Sequence, residues 1–483
     1  MRLLSELQNN NMEKRQSIFI FGITIMLYAI LKILSFNDGM FWDSILILSK
    51  TATFLHDNGL SSFIYPSAID NGDPQLVPFL IAFAWTVAGK SLFVTHLLFS
   101  IVLIFTIREV YILARQQFSL KNSHWAFALI LFEPALMSQT LGLYQDAFII
   151  LFGIMAIRTT LGDNKRLLSM ALLLLSSTSR RGMLLAFGIM FASFLIRLIQ
   201  QKNLFRTIKL QLPEYLPAAL FVLTFIIWRK VNYGWFFTTD QTTTGQPADF
   251  ATFIRNCIIL IRWFVDNGRI FLWLAIIYLV VKNKVGLGFI KKEYKLIVVL
   301  LSILFVMMSV TLTLQNPFGA RYFILHYMLI VLLLSKAIVE YFEPRKIRNI
   351  FIGLIILLFS GNFWFYPENL AQSWDTTISH KNYFTLRKEA IGYFESNNIP
   401  IENVSAGFPT YAAFKYTDIN NDTRKFKETD LKSEWVIYSN IFNYSDEEIA
   451  DCKKMKLMKH FRRGNLFMSI YKNPAYHLNE KSE

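Results

Sequence analysis

Long apolar runs, each closed by a short basic or polar turn, recur along the chain from Ser17 to Tyr366. The first, SIFIFGITIMLYAILKILSF, is followed by one from Leu92 to Ala114. Further runs lie at His124–Gln139, Asp146–Ile157, Leu167–Ser179, Met183–Ile196, Pro213–Trp228, Ile270–Val281, Leu296–Leu314, Tyr322–Tyr341 and Ile347–Tyr366. An apolar helix of roughly 17 to 25 residues crosses about 30 Å of hydrocarbon with its backbone groups satisfied internally. The pattern predicts a multi-pass α-helical membrane protein with about eleven transmembrane helices. The first run is too long for a secretory h-region and has no small-residue cleavage site after it, so a retained helix is expected. The piece PQLVPFLIAFAWTVAG is shorter and carries Pro74 and Pro78. It is expected to half-insert or lie at the interface, because a crossing there would put Arg115 and Lys121 on the outer side.

Two stretches break the pattern. In FNDGMFWDSILILSKTATFLHDNG, the residues Phe41, Ile45, Leu48, Ala52 and Leu55 step by four and three and build one apolar helical face, with Asp43, Lys50 and Asp57 opposite. Such a helix suits the membrane surface. After Tyr366 the composition turns polar: a helical pattern at Tyr383–Ser396, strand-like NVSAG, EWVIYSN and LFMSIYK, and an acidic helix start at SDEEIADCKK. Residues 1–366 are therefore expected to form the polytopic membrane domain, and 367–483 a small extracytoplasmic α/β domain.

Composition agrees: 54% of residues are hydrophobic, 17% are charged, and 45 are Phe. The net charge of +15 does not indicate nucleic acid. The basic residues sit mainly in short turns such as Arg158, Lys165 and Arg166, or Arg345, Lys346 and Arg348, as the positive-inside rule requires. With Arg2, Lys14 and Arg15 before the first run, the N-terminus is expected in the cytoplasm and the C-terminus outside, and the short loops favour a bacterial inner membrane. Cys257 and Cys452 form neither a disulfide framework nor a metal spacing.

The remaining chemistry gathers at the expected outer ends of the spans. Asp38 and Asp43 follow the first run, and Asp146 opens a later one. An ionised group costs about 2.5 to 3.5 kcal/mol at mid-membrane and less at the edge, so it usually has a partner or a role. Arg180, Arg181, Arg229, Lys230 and Arg321 occupy outer turns against the positive-inside trend. A set of guanidinium groups at the bilayer edge suits a lipid phosphate, which it can grip in a planar, bidentate way. Taken singly, each acid also fits a solvated loop, and each arginine a local ion pair or a snorkelling side chain.

The order of these elements resembles the GT-C glycosyltransferases, particularly the group of protein O-mannosyltransferases and bacterial aminoarabinose transferases of lipid A. The matching pieces are Asp43 in FWDSILILSK, the run GDPQLVPFL, Asp146 in LYQDAF, Arg181-Gly182 and Arg321-Tyr322, spread over about Ser17 to Tyr341. The chain departs from the family in Asp43-Ser44 for Asp-Glu, Gly72-Asp73-Pro74-Gln75 for Gly-His-Pro-Pro, and Arg181 for Lys. The resemblance implies a sugar donor on a polyprenyl phosphate and a lipid, glycan or protein acceptor. It also implies inverting displacement at the anomeric carbon, with Asp43 as base and Asp38 competing for that place. Arg180, Arg181, Arg321 and Arg229 would take the donor phosphate. Asp146 would position the acceptor, hold Arg181 or bind a divalent Mg or Mn ion, three roles that stay open. Trp42, Asp73, Tyr144, Tyr233 and Trp235 are expected sugar or acceptor contacts, and the aromatic, Thr-rich segment from Asn232 to Phe264 is expected to cover the site, with an interfacial aromatic belt as the alternative reading of its aromatics. A flippase for a lipid-linked sugar would use the same arginines without a base, but would show related halves with broken helices, and the sequence has no such repeat. A polysaccharide polymerase or ligase would differ only in product.

Overall fold

A computed structural model describes residues 2–236, 246–282, 284–315, 318–368, 370, 372–474 and 476. The chain enters through α1 (Arg2–Leu34), then makes a π-helical stretch at Ser44–Ser49 that continues into α2 (Lys50–Asp57). The expected apolar face of this opening piece is fully inside: Phe41, Ile45, Leu48, Ala52 and Leu55 are each at most 1% exposed. α3 (Leu76–Ala88) is short and apolar and packs on α2 before α4 (Leu92–Gln117) begins.

Short polar turns set the course of the bundle. α5 (Leu120–Leu131) and α6 (Pro134–Leu141) are separated at Glu133, whose carboxylate accepts the Leu136 N–H at 2.7 Å, with Pro134 at the first helical position. The helices α7 (Asp146–Gly162), α8 (Lys165–Ser176), α9 (Arg180–Gln201) and α10 (Leu204–Tyr233) follow with two- or three-residue turns between them, which force antiparallel neighbours. Asn164, Ser179 and Asn203 cap these starts by accepting the N–H of Leu167, Gly182 and Arg206. Next come α11 (Phe250–Val265), α12 (Ile270–Val281), α13 (Leu287–Lys292), α14 (Tyr294–Thr311), α15 (Ile324–Tyr341) and α16 (Pro344–Ser360). α15 is the central helix: 78% of an 18-residue apolar window within Ala320–Tyr341 is buried. Gly188 of α9 lets α14 approach, since a Cβ there would stand 3.0 Å from the Ile303 Cα.

Among the described residues, seven helices are long and apolar enough to cross a membrane, and nine spans result if the bent pairs α6–α7 (120°) and α11–α12 (83°) each count as one. This falls short of the expected eleven. The runs at His124–Gln139 and Leu167–Ser179 yield helices of only 12 residues, α5 and α8. At 1.5 Å per residue each rises about 18 Å, well under the hydrocarbon thickness. The multi-pass membrane fold stands, with seven to nine spans by length and composition. Within the segment expected to cover the site, residues 250–265 form α11, and 237–245 lie outside the described residues.

The C-terminal part carries α17 (Asn382–Ser396), α18 (Phe414–Thr417), α19 (Asp446–Lys454) and a mixed sheet of β1 (Val404–Ala406), β2 (Lys427–Glu428), β3 (Trp435–Ser439), β4 (Lys456–Arg463) and β5 (Leu466–Lys472). Its order is β2-β1-β3-β5-β4, parallel at β1/β2 and β1/β3 and antiparallel at β3/β5 and β4/β5. β3 is fully buried, whereas β4, unseen in the sequence, is a charged and mostly exposed edge strand. This layer docks on the opening helix through aromatic contacts: the Phe41 ring lies 5.0 Å from His380 and 5.3 Å from Tyr383.

Two buried charges bind the helix ends near this layer. Arg269 donates to Glu133 at 2.8 Å and lies 3.8 Å over the Tyr327 ring, joining the start of α12 to α6 and α15. Removing one partner of such a pair leaves an uncompensated buried charge, at a cost of about 3–5 kcal/mol. Glu133→Leu should therefore lower the thermal midpoint in detergent sharply, and Glu133→Leu combined with Arg269→Leu should recover much of the loss; a single variant as stable as wild type would refute this.

Candidate functional site

The N-terminal ends of α7, α9 and α15 meet at one place, and the opening π-helical turn lies across them. Asp146 is in the first turn of α7, Arg181 in the first turn of α9, and Arg321 in the 3₁₀ turn Ala320–Phe323 that leads into α15. Asp43 precedes the π-helical stretch, a helix form that recurs at functional sites, and its neighbour Trp42 takes a left-handed φ of 48°. Arg321 is the hub. It donates through Nη2 to Asp43 and through Nη1 to Asp375, with Nε 3.8 Å from Asp146. Arg181 pairs with Asp146 at 2.7 Å and lies 4.4 Å over the Tyr322 ring, which Arg321 also approaches at 5.8 Å.

Two donors in this cluster are unspent. Arg181 Nη1 and Arg321 Nε are buried and have no hydrogen-bond partner among the described residues. Both arginines line a narrow crevice with Asp146 and Tyr322, and its other wall is apolar: Ile149, Ile150, Leu185, Ile324 and Leu325. Positive helix ends and guanidinium donors on one side and aliphatic carbon on the other suit an amphiphilic anion. Asp43 is the accessible acid, its side chain 42% exposed against 6% for Asp146 and 12% for Asp375. Burial pushes the Asp375 carboxyl up; Arg321 opposes that shift, and Asp43 and Asp146 add to it.

No protein-family model and no curated protein matches the sequence. Two solved structures do match the fold: ArnT from Cupriavidus metallidurans bound to undecaprenyl phosphate, with a TM-score of 0.54, and the same protein in the apo state, with 0.53. Each is 9% identical, over 93% of this chain and 97% of the other. The chain has the ArnT fold. The GT-C-like architecture expected from the order of motifs is thus present, although at this identity the likeness concerns the fold alone.

Within this ArnT-like fold, the structure brings Asp43, Asp146, Arg181 and Arg321 into one cluster and leaves other expected residues apart from it. Asp38 pairs with Lys381 at 3.8 Å, and its main-chain oxygen meets His96 Nε2 at 2.9 Å. Burial pushes its carboxyl up to about 6, against the opposing pull of Lys381. Arg229 is fully buried, bidentate with Asp70 at 3.1 and 2.9 Å, and enclosed by Tyr233 and Trp235 at 4.8 and 5.0 Å. Those two aromatics therefore cage a guanidinium, and the Tyr233 hydroxyl accepts the Tyr65 N–H. Arg180 pairs with Asp73 at 3.0 Å and donates to the Asn71 carbonyl at 2.9 Å. Tyr144 is buried and bonds through its hydroxyl to His380 Nε2 at 2.8 Å. Burial holds His380 down to about 3, so the imidazole is neutral and accepts from Tyr144 while Nδ1 faces the Thr377 carbonyl. Trp42 packs edge-on to Phe408 at 5.2 Å beside Asp43.

Sequence reasoning missed Asp375 and His380, in SWDTTISHK, because this segment has no helical or strand period to draw attention to a single acid. Among the described residues no three His, Cys, Asp or Glu side chains are grouped to hold a metal ion. Asp43 and Asp146 both face the Arg321 guanidinium, Asp43 through Nη2 and Asp146 at 3.8 Å from Nε.

Arg321→Ala strands the buried Asp375 carboxylate, Asp146 keeping Arg181, and should cost about 3–5 kcal/mol of stability. Asp43→Asn alters a half-exposed partner and should cost under about 1 kcal/mol. Thermal denaturation of both variants in detergent checks the contrast, and equal midpoints would contradict the burial argument.

Proposed function

We propose that the chain is a membrane glycosyltransferase that moves a sugar from a polyprenyl-phosphate donor to a hydroxyl acceptor. The observation that carries this is the pair of unspent guanidinium donors, Arg181 Nη1 and Arg321 Nε, facing a crevice whose far wall is aliphatic. A phosphate that drags a hydrocarbon chain needs both surfaces. The ArnT fold supports the reading, since one structure with that fold was solved with undecaprenyl phosphate bound.

On this reading the donor phosphate sits between Arg181 and Arg321, with its prenyl tail along Ile149, Leu185 and Leu325. The acceptor hydroxyl attacks the anomeric carbon and gives its proton to Asp43. The new C–O bond forms as the bond to the phosphate oxygen breaks, with inversion, and the polyprenyl phosphate leaves with the electron pair. Protonation of Asp43 weakens its hold on Arg321 Nη2 and frees that donor for the phosphate as its charge grows. Asp146 keeps Arg181 in place, and no metal enters the steps. The site lies on the extracytoplasmic side of a bacterial inner membrane, with α5 and α8 completing eleven passes as short helices and the C-terminal sheet on the same side.

Purified full-length protein in liposomes, given labelled sugars on a panel of polyprenyl phosphates and membrane extract as acceptor, should transfer label. Asp43→Asn should lose at least about 100-fold in rate while remaining folded, and Arg181→Ala should mainly raise the donor KM. Activity of Asp43→Asn equal to wild type would remove Asp43 as base. Donor crossing the bilayer without transfer would identify a flippase instead. Chelation with EDTA should leave the rate within about twofold, and a loss restored by Mg²⁺ or Mn²⁺ would bring a metal back into the mechanism.

A further inference from the structure

Residues 38–42, which lead into Asp43, lie in no helix or strand. They are fastened instead to the C-terminal layer. The Met40 N–H donates to the Thr417 carbonyl at 2.7 Å. Gly39 permits that approach, because a Cβ there would stand 2.5 Å from the Thr417 carbonyl oxygen and 3.3 Å from Asp418 Oδ1. The Phe41 ring comes next, enclosed by His380, Tyr383 and Phe384 at 5.0, 5.3 and 6.1 Å. Trp42 then takes its left-handed φ of 48°, a conformation that a bulky residue keeps only where its surroundings over-determine the backbone.

The anchor itself needs support. Thr417 ends α18, a single turn of four residues that helical propensity would not hold by itself. Its support is α17, which buries Tyr383, Phe384 and Arg387 on one face. Arg387 Nη1 donates to both carboxylate oxygens of Asp418 at 2.9 Å, and the guanidinium lies 4.5 Å over the Phe414 ring. The Asp418 N–H closes the turn on the Phe414 carbonyl at 2.7 Å. Arg387 is only 2% exposed, and its Nε and Nη2 are buried with no hydrogen-bond partner among the described residues. Stability alone does not account for this residue, since an apolar side chain would fill the space without leaving two donors dry.

We infer that Arg387 is a positioning residue for Asp43: through Asp418 it fixes the Thr417 carbonyl, which holds Met40, three residues before the carboxylate that meets Arg321. What Asp43 then does rests on the transferase reading. Arg321 grips the Asp43 side chain, while the Thr417 carbonyl sets the backbone from which that side chain starts. Two restraints from separate parts of the chain hold a half-exposed carboxylate to the narrow geometry that proton abstraction requires. The C-terminal layer thereby gains a task, that of holding the segment that carries the base.

The test uses full-length protein in liposomes and the variants Arg387→Ala, Gly39→Ala and Arg387→Lys. Gly39→Ala pushes the Thr417 carbonyl off Met40 without touching the core of the C-terminal layer, so it carries the test even if Arg387→Ala does not fold. Both alanine variants should speed deuterium exchange of the Met40–Asp43 amides at least about tenfold while β3 and β5 stay protected. Both should lower kcat by about tenfold to a hundredfold and leave the donor KM within about twofold. Arg387 reaches Asp418 through Nη1 alone, so the ammonium of Arg387→Lys should restore most of the protection and of the rate. Faster exchange spread over β3 and β5 would mark a merely structural residue, and a loosened segment with an unchanged kcat would show that it does not position Asp43; either result overturns the proposal. Loosening confined to this segment in a protein that transfers no sugar would keep Arg387 as its anchor and reject the transferase.

Discussion

The site end of this protein depends on one guanidinium, Arg321, placed among three carboxylates that come from distant parts of the chain. Asp43 belongs to the opening helical stretch, Asp146 to the head of α7 and Asp375 to the strap before the C-terminal sheet. None of these acids is a sequence neighbour of the arginine, and two of the three are buried. Their mutual repulsion, and the cost of taking each from water, are tolerable only while the positive charge remains between them. The same residue thus orders the surface helix, the bundle and the soluble layer against one another.

Such an arrangement separates pairs that hold the fold from groups with binding capacity left over. Arg269–Glu133 and Arg229–Asp70 are buried pairs supported by aromatic rings, and they fasten helix ends and a loop. At the other end of the bundle, Arg158–Glu109 and Arg197–Glu214 do similar work. Arg229 also keeps one buried donor, Nε, without a partner, but Arg181 and Arg321 differ in that they line one crevice with an aliphatic wall. A protein that spends stability on unsatisfied buried donors does so most readily where a ligand completes them.

The crevice at Arg181 and Arg321 joins cationic donors to an aliphatic wall, which suits a lipid phosphate. The strap carrying Asp375 meets this site through Arg321, so a displacement of that strap would disturb the guanidinium. Its carbonyl is fixed to α6 by two short hydrogen bonds, which resist such a displacement.

Hydrophobic periodicity by itself determined that the chain is a multi-pass helical membrane protein, that an amphipathic helix follows the first span, and that strands and helices follow the last one. These are local properties: a 3.6-residue repeat or a long apolar run is legible because neighbours in sequence are neighbours in the element. The acids and arginines at span ends were also visible, since charge is conspicuous against apolar sequence. What the tertiary structure alone decided is which charges meet. Arg229 and Arg180 looked equivalent to Arg181 and Arg321 until Asp70 and Asp73 were seen to occupy them, and Asp375 had no signal at all. Partner choice between side chains hundreds of residues apart is set by how helices pack and where turns end, and no local pattern encodes it. The number of crossings is not legible from length alone for a related reason: Pro134 splits an apolar run, and α5 and α8 are 12-residue pieces held in the bundle by their neighbours.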